Sequence, residues 1–256
     1  MIRQAMIDAG LGPAEAQSRF HAVDINGLLV EGMADLRPMQ LPFVQKKSAV
    51  AGWRLEQPGH IGLLDVVANA KPTVLIGVST QPGTFTEKIV KTMAGNCERP
   101  VIFPLSNPVS RSEAAPADLV RWTQARALIG TGSPFPPVEI DGRPFAVDQT
   151  NNAYIFPGVA LGALAIGSRR VSDDMFAPAA RALAGVSPVL RDAKANLLPA
   201  VGELRSVAVT VATGVALQAR AEGLCAPFDD AALDGLIAQK MWEPVYRPYY
   251  RRRPGS

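Results

Sequence analysis

The chain has 256 residues, 48% hydrophobic and 19% charged, enough for one large globular domain or one domain with an appendage. Twenty-six Lys and Arg against 23 Asp and Glu give a formal net charge of +3, and the tail RRRPGS alone holds three arginines. The body is therefore close to neutral. No Lys/Arg stripe is interleaved with aromatics, which sets nucleic-acid binding through YRPYYRRRPGS below the reading of a solvated end.

Cys97 and Cys225 show no C-x-x-C spacing and cannot make a disulfide framework. The amino-terminal residues contain no apolar signal-like region. The longest apolar stretch, FPGVALGALAIG (156–167), is too short and too glycine-rich for a membrane span. The expectation is a soluble, cytoplasmic protein with neither a membrane nor a nucleic acid as partner.

In chain order, the first informative segment is HAVDINGLLV (21–30): an apolar run, Asp24, an Asn-Gly turn and apolar residues again. A dinucleotide-binding fold places the acid that holds the adenosine ribose at such a strand end, about 20 residues after a G-x-G-x-x-G loop. The preceding residues, MIRQAMIDAGLGPAEAQSRFHAV, contain no such loop and no earlier strand. Asp24 is thus either a cofactor residue without its usual neighbours or an ordinary turn aspartate.

EGMADLRPMQLPFVQKKSAVAGW reads as a long loop with a short helix, and IGLLDVVANAKP (61–72) as a helix ended before Pro72. TVLIGV (73–78), VIFPLS (101–106) and ALIGTG (127–132) are short unbroken apolar runs, as expected of parallel strands buried on both faces. Between them, TFTEKIVKTMAG predicts a helix with Thr84 as N-cap, Glu87 three residues on, Phe85, Ile89 and Met93 inward and Gly95 as a stop. SEAAPADLVRWTQ predicts another, with Leu119, Val120 and Trp122 inward. The alternation indicates an α/β sheet with right-handed crossovers.

After Asn152 the chain turns helical. Pro157 stands in a first turn, Ser172 is an N-cap candidate, and GELRSVAVTVATGVALQARAEG carries Leu204, Val207, Ala208, Val211 and Val215 on one face.

Three polar loops leave the carboxyl ends of these runs, where open α/β sheets bind ligands. They are GVSTQPGTF (77–85), LSNPVS (105–110) and DQTNNAYIFPG (148–158). Pro108 biases Asn107 toward an extended backbone that aims its amide out of the sheet. Asparagine amides both donate and accept, so they suit a carboxamide, a ribose hydroxyl or a substrate carboxylate. Each is also a common turn former. His21 and His60 have no metal-ligand partners nearby and read as structural.

Taken together, VDINGLLVEGM, LPFVQKK, IGVSTQPGTFTEKI, RPVIFPLSNPVSRSEA, GTGSPFPPV and QTNNAYIFPGVALG closely resemble the C-terminal NAD-binding domain of malic enzymes. The version most similar is the bacterial and plant-type NAD-dependent malate oxidoreductase (oxaloacetate-decarboxylating). The resemblance runs from about residue 3 to about residue 250, and LSNP and NNAYIFPG are its most diagnostic words.

The resemblance implies a Rossmann-like doubly wound parallel sheet lacking its first strand and glycine loop, followed by a helical C-terminal segment. The expected division is 1–170 for the truncated NAD(P)-binding domain and 171–256 for the helices packed on it. It further implies that Asp24 holds the ribose, Val78 and Ser79 line the dinucleotide, Asn107 contacts cofactor and malate, and Asn151 and Asn152 stand on the malate side. Gly132 and Ser133 shape the same pocket or simply form a tight turn before Pro134.

NAD is favoured because a carboxylate at Asp24 repels a 2′-phosphate. NADP stays open, since Arg37, Lys46 and Lys47 are available downstream. The family's Mg2+ or Mn2+, lysine base and tyrosine acid belong to upstream parts. No catalytic or metal residue is therefore expected in this chain, which alone is expected to be inactive. The complete protein is expected to be a homo-oligomer converting malate to pyruvate and carbon dioxide. The alternative is a non-catalytic remnant or interaction module. Without the central strand, the Asp24 strand and TVLIGV would expose unpaired edges, so the expectation is either a fragment of a longer reading frame or two strands that close against each other in an altered sheet.

Overall fold

The computed structural model describes residues 2–249 except 141, 146, 193, 194 and 247, and the tail RRRPGS lies outside the described residues. The chain divides into two compact units: residues 1–152 with 186–201, and residues 153–185 with 202–256.

The first unit begins with α1 (Ile2–Asp8) and α2 (Pro13–Ser18), followed by a small hairpin of β1 (Val23–Asp24) and β2 (Gly27–Leu28). Val23 faces Leu28 and Asp24 faces Gly27 in antiparallel register, so a turn forms in this stretch, but its two central residues are Ile25 and Asn26, and Gly27, with φ of 93°, opens β2. The long loop contains a 3-10 turn, Leu41–Phe43, and α3 (Lys47–Val50). Helix α4 (Leu63–Ala70) ends in a left-handed Lys71 just before Pro72. The Asp65 carboxylate accepts the Gly62 and Glu56 amides, which anchors the helix start.

A parallel sheet follows. It comprises β3 (Val74–Gly77), then α5 (Glu87–Asn96), β4 (Val101–Pro104), α6 (Pro116–Thr123) and β5 (Leu128–Thr131). A hairpin of β6 (Val138–Ile140) and β7 (Arg143–Phe145) precedes a fourth parallel strand, β8 (Asp148–Gln149). The order is β3-β4-β5-β8, a Rossmann-like half-sheet with flanking helices. Leu75, Ile102 and Ile129 from the strands meet Val90 and Met93 of α5 and Leu119 and Val120 of α6 in one buried cluster.

Several expectations change. Not every strand is buried on both faces: β5 is, but β3 alternates, with Val74 at 47% and Ile76 at 44% exposure and Leu75 inside. The Asp24 strand does not close on β3 but pairs with β2 alone among the described strands. The cap of α5 is Thr86, whose hydroxyl accepts the Ile89 amide, while Thr84 donates its hydroxyl to the Gln81 carbonyl. Gly95 does not stop that helix, which runs through it to Asn96. Finally, DQTNNAYIFPG opens as strand β8 rather than as loop, and the β6–β7 hairpin was not expected at all.

The second unit contains α7 (Phe156–Ala165), α8 (Phe176–Gly185), α9 (Leu204–Ala221) and α10 (Asp230–Lys240). Val207, Ala208, Val211 and Val215 are buried as expected, whereas Leu204 is only half-buried. Gly158 and Gly162 of α7 lie against α9 so closely that a Cβ would stand 2.5 Å from the Val211 Cβ and 2.5 Å from the Ala212 carbonyl oxygen, respectively. Ser172 occupies its cap position, but its hydroxyl donates to Glu222 instead of capping.

Candidate functional site

All four strands of the sheet are parallel, so their carboxyl ends lie along one edge. That edge gathers residues 78–81 after β3, 105–108 after β4, 132–133 after β5 and 150–152 after β8. The expectation that several polar loops share one end of one sheet holds as geometry.

Val78 stands just beyond β3 and is 74% exposed, an apolar side chain on an open surface. Ser79 points the other way. Its amide and its hydroxyl both donate to Oε1 of Glu113, each at 2.8 Å, and its hydroxyl oxygen accepts the Gln81 amide at 3.1 Å. Ser106 repeats the pattern from the next loop: its hydroxyl donates to Glu113 Oε1 at 2.5 Å and accepts the Thr80 amide at 2.8 Å. Glu113 is fully buried. Burial raises its carboxyl, but the hydrogen bonds from Ser106 and Ser79 outweigh that and leave it below the ordinary glutamate range.

Two glycines make this arrangement sterically possible. A Cβ on Gly77 would stand 2.5 Å from the Glu113 Cδ, so the carboxylate passes over a bare strand end. A Cβ on Gly132 would stand 2.1 Å from the Leu105 carbonyl oxygen, which lets the LSNP loop lie directly on the loop after β5.

The Asn107–Pro108 peptide is cis, and Asn107 is exposed. Its amide is not aimed straight out of the sheet as expected. The side-chain oxygen accepts the Ser133 hydroxyl, which turns the side chain along the edge toward the neighbouring loop. Asn151 and Asn152 are both exposed after β8, with Asn152 opening a 3-10 turn. The hydrogen bonds thus join Ser79, Thr80, Ser106 and Glu113 in one group and Asn107 with Ser133 in another, the two adjoining at the Ser106–Asn107 peptide.

Asp24 stands apart from that group on the β1–β2 hairpin. Its Oδ1 accepts the Ile25 amide and its Oδ2 the Gln40 side-chain amide, both at 2.7 Å. Gln40 in turn accepts the Arg37 amide at 2.8 Å, so the loop after β2 folds back over the carboxylate. His21 tilts against Trp53 at 5.8 Å between ring centroids, and its half-buried imidazole is held below the usual histidine range by burial. Among the described residues, no three His, Cys, Asp or Glu stand together as metal ligands, and no helix is long and apolar enough to cross a membrane.

Sequence reasoning missed Glu113 and Gln40. Glu113 lies in SEAA, where local pattern marks only the approach to a helix, and nothing in a sequence announces that a charge is buried. Gln40 reaches Asp24 across 16 positions of irregular chain.

The family model of the malic enzyme NAD-binding domain matches residues 1–220. The chain belongs to the malic enzyme family. An NAD-dependent malic enzyme of Vibrio vulnificus is 48% identical over 246 residues, covering 96% of this chain and 44% of its own length. One of Acinetobacter baylyi is 47% identical over 247 residues, covering 96% and 43%. The chain therefore spans less than half the length of these malic enzymes. Among solved structures, the malic enzyme of Entamoeba histolytica superposes with a TM-score of 0.62 at 23% identity, over 85% of this chain and 40% of that one. The malic enzyme of Pyrococcus horikoshii gives 0.59 at 22% identity, over 83% and 43%. At that identity the structural likeness speaks for the fold alone. The chain carries the NAD-binding domain of the family.

Proposed function

We propose that this chain is the dinucleotide-holding part of an NAD-dependent malic enzyme, and that the complete enzyme oxidises malate and releases carbon dioxide to give pyruvate. The observation that carries the reading is the strand-end group itself. Asn107, bridged to Ser133, and the outward Val78 share the edge where parallel sheets bind ligands. A polar amide beside an apolar contact suits a nicotinamide ring and its carboxamide.

In this reading Asp24 orients the adenosine ribose. A carboxylate has about four acceptor positions, so the two donors it already holds leave capacity for the ribose hydroxyls. Val78 and Ser79 flank the dinucleotide, Asn107 serves both cofactor and malate, and Asn151 and Asn152 face the malate side. NAD is preferred to NADP, because the exposed Asp24 carboxylate would meet a 2′-phosphate with like charge.

The described residues offer no ligand set for a divalent cation. In this reading Mg2+ or Mn2+, the base and the acid are supplied by other parts of the complete, homo-oligomeric enzyme, and this chain alone turns over no malate. The test is direct. The purified chain should bind NADH in a fluorescence titration, and should form no NADH from malate and NAD with Mg2+ or Mn2+ added. Absence of binding would remove the reading, and turnover would remove the assignment of the missing groups.

A further inference from the structure

Glu113 is a fully buried carboxylate whose charge, among the described residues, is met by hydrogen-bond donors: the Ser79 amide and hydroxyl, and the Ser106 hydroxyl and, at 3.4 Å, its amide. A buried charge is a costly way to fill space, and an apolar side chain would pack there without that cost. What the carboxylate does that an apolar group cannot is join two loops from different strands.

The two loops share a design. In each, the serine hydroxyl reaches Glu113, from a buried Ser106 and from a more exposed Ser79, while the residue beside it is exposed: Val78 beside Ser79, and Asn107 beside Ser106. In each, the serine oxygen also takes a backbone amide, Gln81 for Ser79 and Thr80 for Ser106. The backbone from 79 to 81 is thereby fixed from below by one carboxylate and two relaying hydroxyls. Thr80, with φ of 57°, is held in the left-handed region within this network.

We propose that Glu113 is a positioning residue for the dinucleotide: its carboxylate clasps the loops after β3 and β4 so that Val78 and Asn107 are presented together, with Ser79 and Ser106 as struts. The proposal rests on the NAD reading above and revises one part of it. Ser79 spends its proton on Glu113 and a lone pair on Gln81, so it acts on the cofactor through backbone placement, not by donating its hydroxyl.

The test uses the 256-residue chain, isotope-labelled for amide exchange, with NADH fluorescence titration alongside. Glu113→Gln keeps the shape but turns an acceptor into a donor facing Ser106. It should speed exchange at Thr80 and Gln81 and weaken NADH binding about ten- to a hundredfold. Ser79→Ala and Ser106→Ala leave the carboxylate in place. They should free the Gln81 and Thr80 amides respectively, each with a smaller loss of NADH affinity, and they decide the matter if Glu113→Gln does not fold. In combination with Glu113→Gln, either serine change should add less than it costs alone.

Unchanged exchange in a folded Glu113→Gln chain, or in both serine variants, overturns the clasp. Faster exchange with unchanged NADH affinity overturns the positioning role. A wild-type chain that binds no NADH, while Glu113→Gln still frees both amides, supports the clasp and overturns the NAD reading beneath it.

Discussion

The side-chain amide of Gln40 donates to Oδ2 of Asp24 at 2.7 Å, and Ile25, whose own amide donates to Oδ1, projects into solvent at 91% exposure. The carboxylate is thus oriented from one side while the neighbouring side chain is free to be changed. Asp24→Ser with Ile25→Arg removes the acceptor and offers a guanidinium fork to a 2′-phosphate. The ratio of NADPH to NADH affinity should rise by at least about tenfold, since charge-assisted bonds contribute roughly 1.5–3 kcal/mol each. Asp24→Ser alone should weaken NADH without gaining NADPH. A double variant with an unchanged ratio would return Asp24 to the role of a turn aspartate.

Gly132 and Gly95 make a matched pair. A methyl group at Gly132 collides with the Leu105 backbone, whereas one at Gly95, within α5, meets nothing within 4 Å. Gly132→Ala should lower unfolding free energy by about 1–3 kcal/mol. Gly95→Ala should raise it by roughly 0.5–1 kcal/mol. Urea denaturation reads both, and equal effects of the same sign would show that the close approach after β5 is wrong.

Asp148 on β8 accepts the Asn196 side-chain amide at 2.9 Å and the Leu197 and Leu198 amides at 2.8 and 3.4 Å. One buried carboxylate therefore pins the 195–198 segment to the sheet. Asp148→Ala should cost about 1–3 kcal/mol. It should also speed amide exchange at Leu197 and Leu198 more than at Thr150, whose amide bonds the Thr131 carbonyl. Uniform acceleration across the unit would mean that Asp148 is not a local clasp.

Acid should destabilise the chain in two stages. Burial lowers His21, so the unfolded chain takes up that proton first. The stabilising contribution is whole above the ordinary histidine value and is lost as pH falls toward the depressed folded one. Glu113 is held below the ordinary glutamate range, so its contribution is whole above that range and disappears as pH falls through its lower folded value. Urea midpoints of the wild type and Glu113→Gln should therefore converge only in strong acid. A gap that stays constant from neutral pH down to about pH 2 would mean that the buried carboxylate does not stabilise the fold through its charge.

The strands, their parallel order and the edge that gathers the loops were legible because periodicity and Gly/Pro punctuation are local signals. TVLIGV, VIFPLS and ALIGTG became β3, β4 and β5. Strand β8 and the β6–β7 hairpin were not seen, because two- and three-residue strands are too short to show alternation. Thr84 alone fits the capping-box pattern, with Glu87 three residues on, yet Thr86 caps the helix. What decides between them is the bond from the Phe85 amide to the Glu113 carbonyl, a contact 28 residues away that holds residue 85 out of the helix. At the site, Asp24 and Asn107 were visible through resemblance. Glu113 was not, since its burial depends on glycine at 77 and serines on two separate loops.

The paired glycines of α7 have a consequence for how the second unit can vary. Gly158 sits on Val211 and Gly162 on Ala212 and Val215, so two successive turns of one helix are keyed to successive turns of the other. Sliding by one residue would drive Val159 or Ala163 into the backbone of α9. The pair has a single alignment, like teeth in a rack, and cannot creep by small steps. Substitutions along this seam are therefore accepted or rejected whole, and the two helices must be inherited as a matched set.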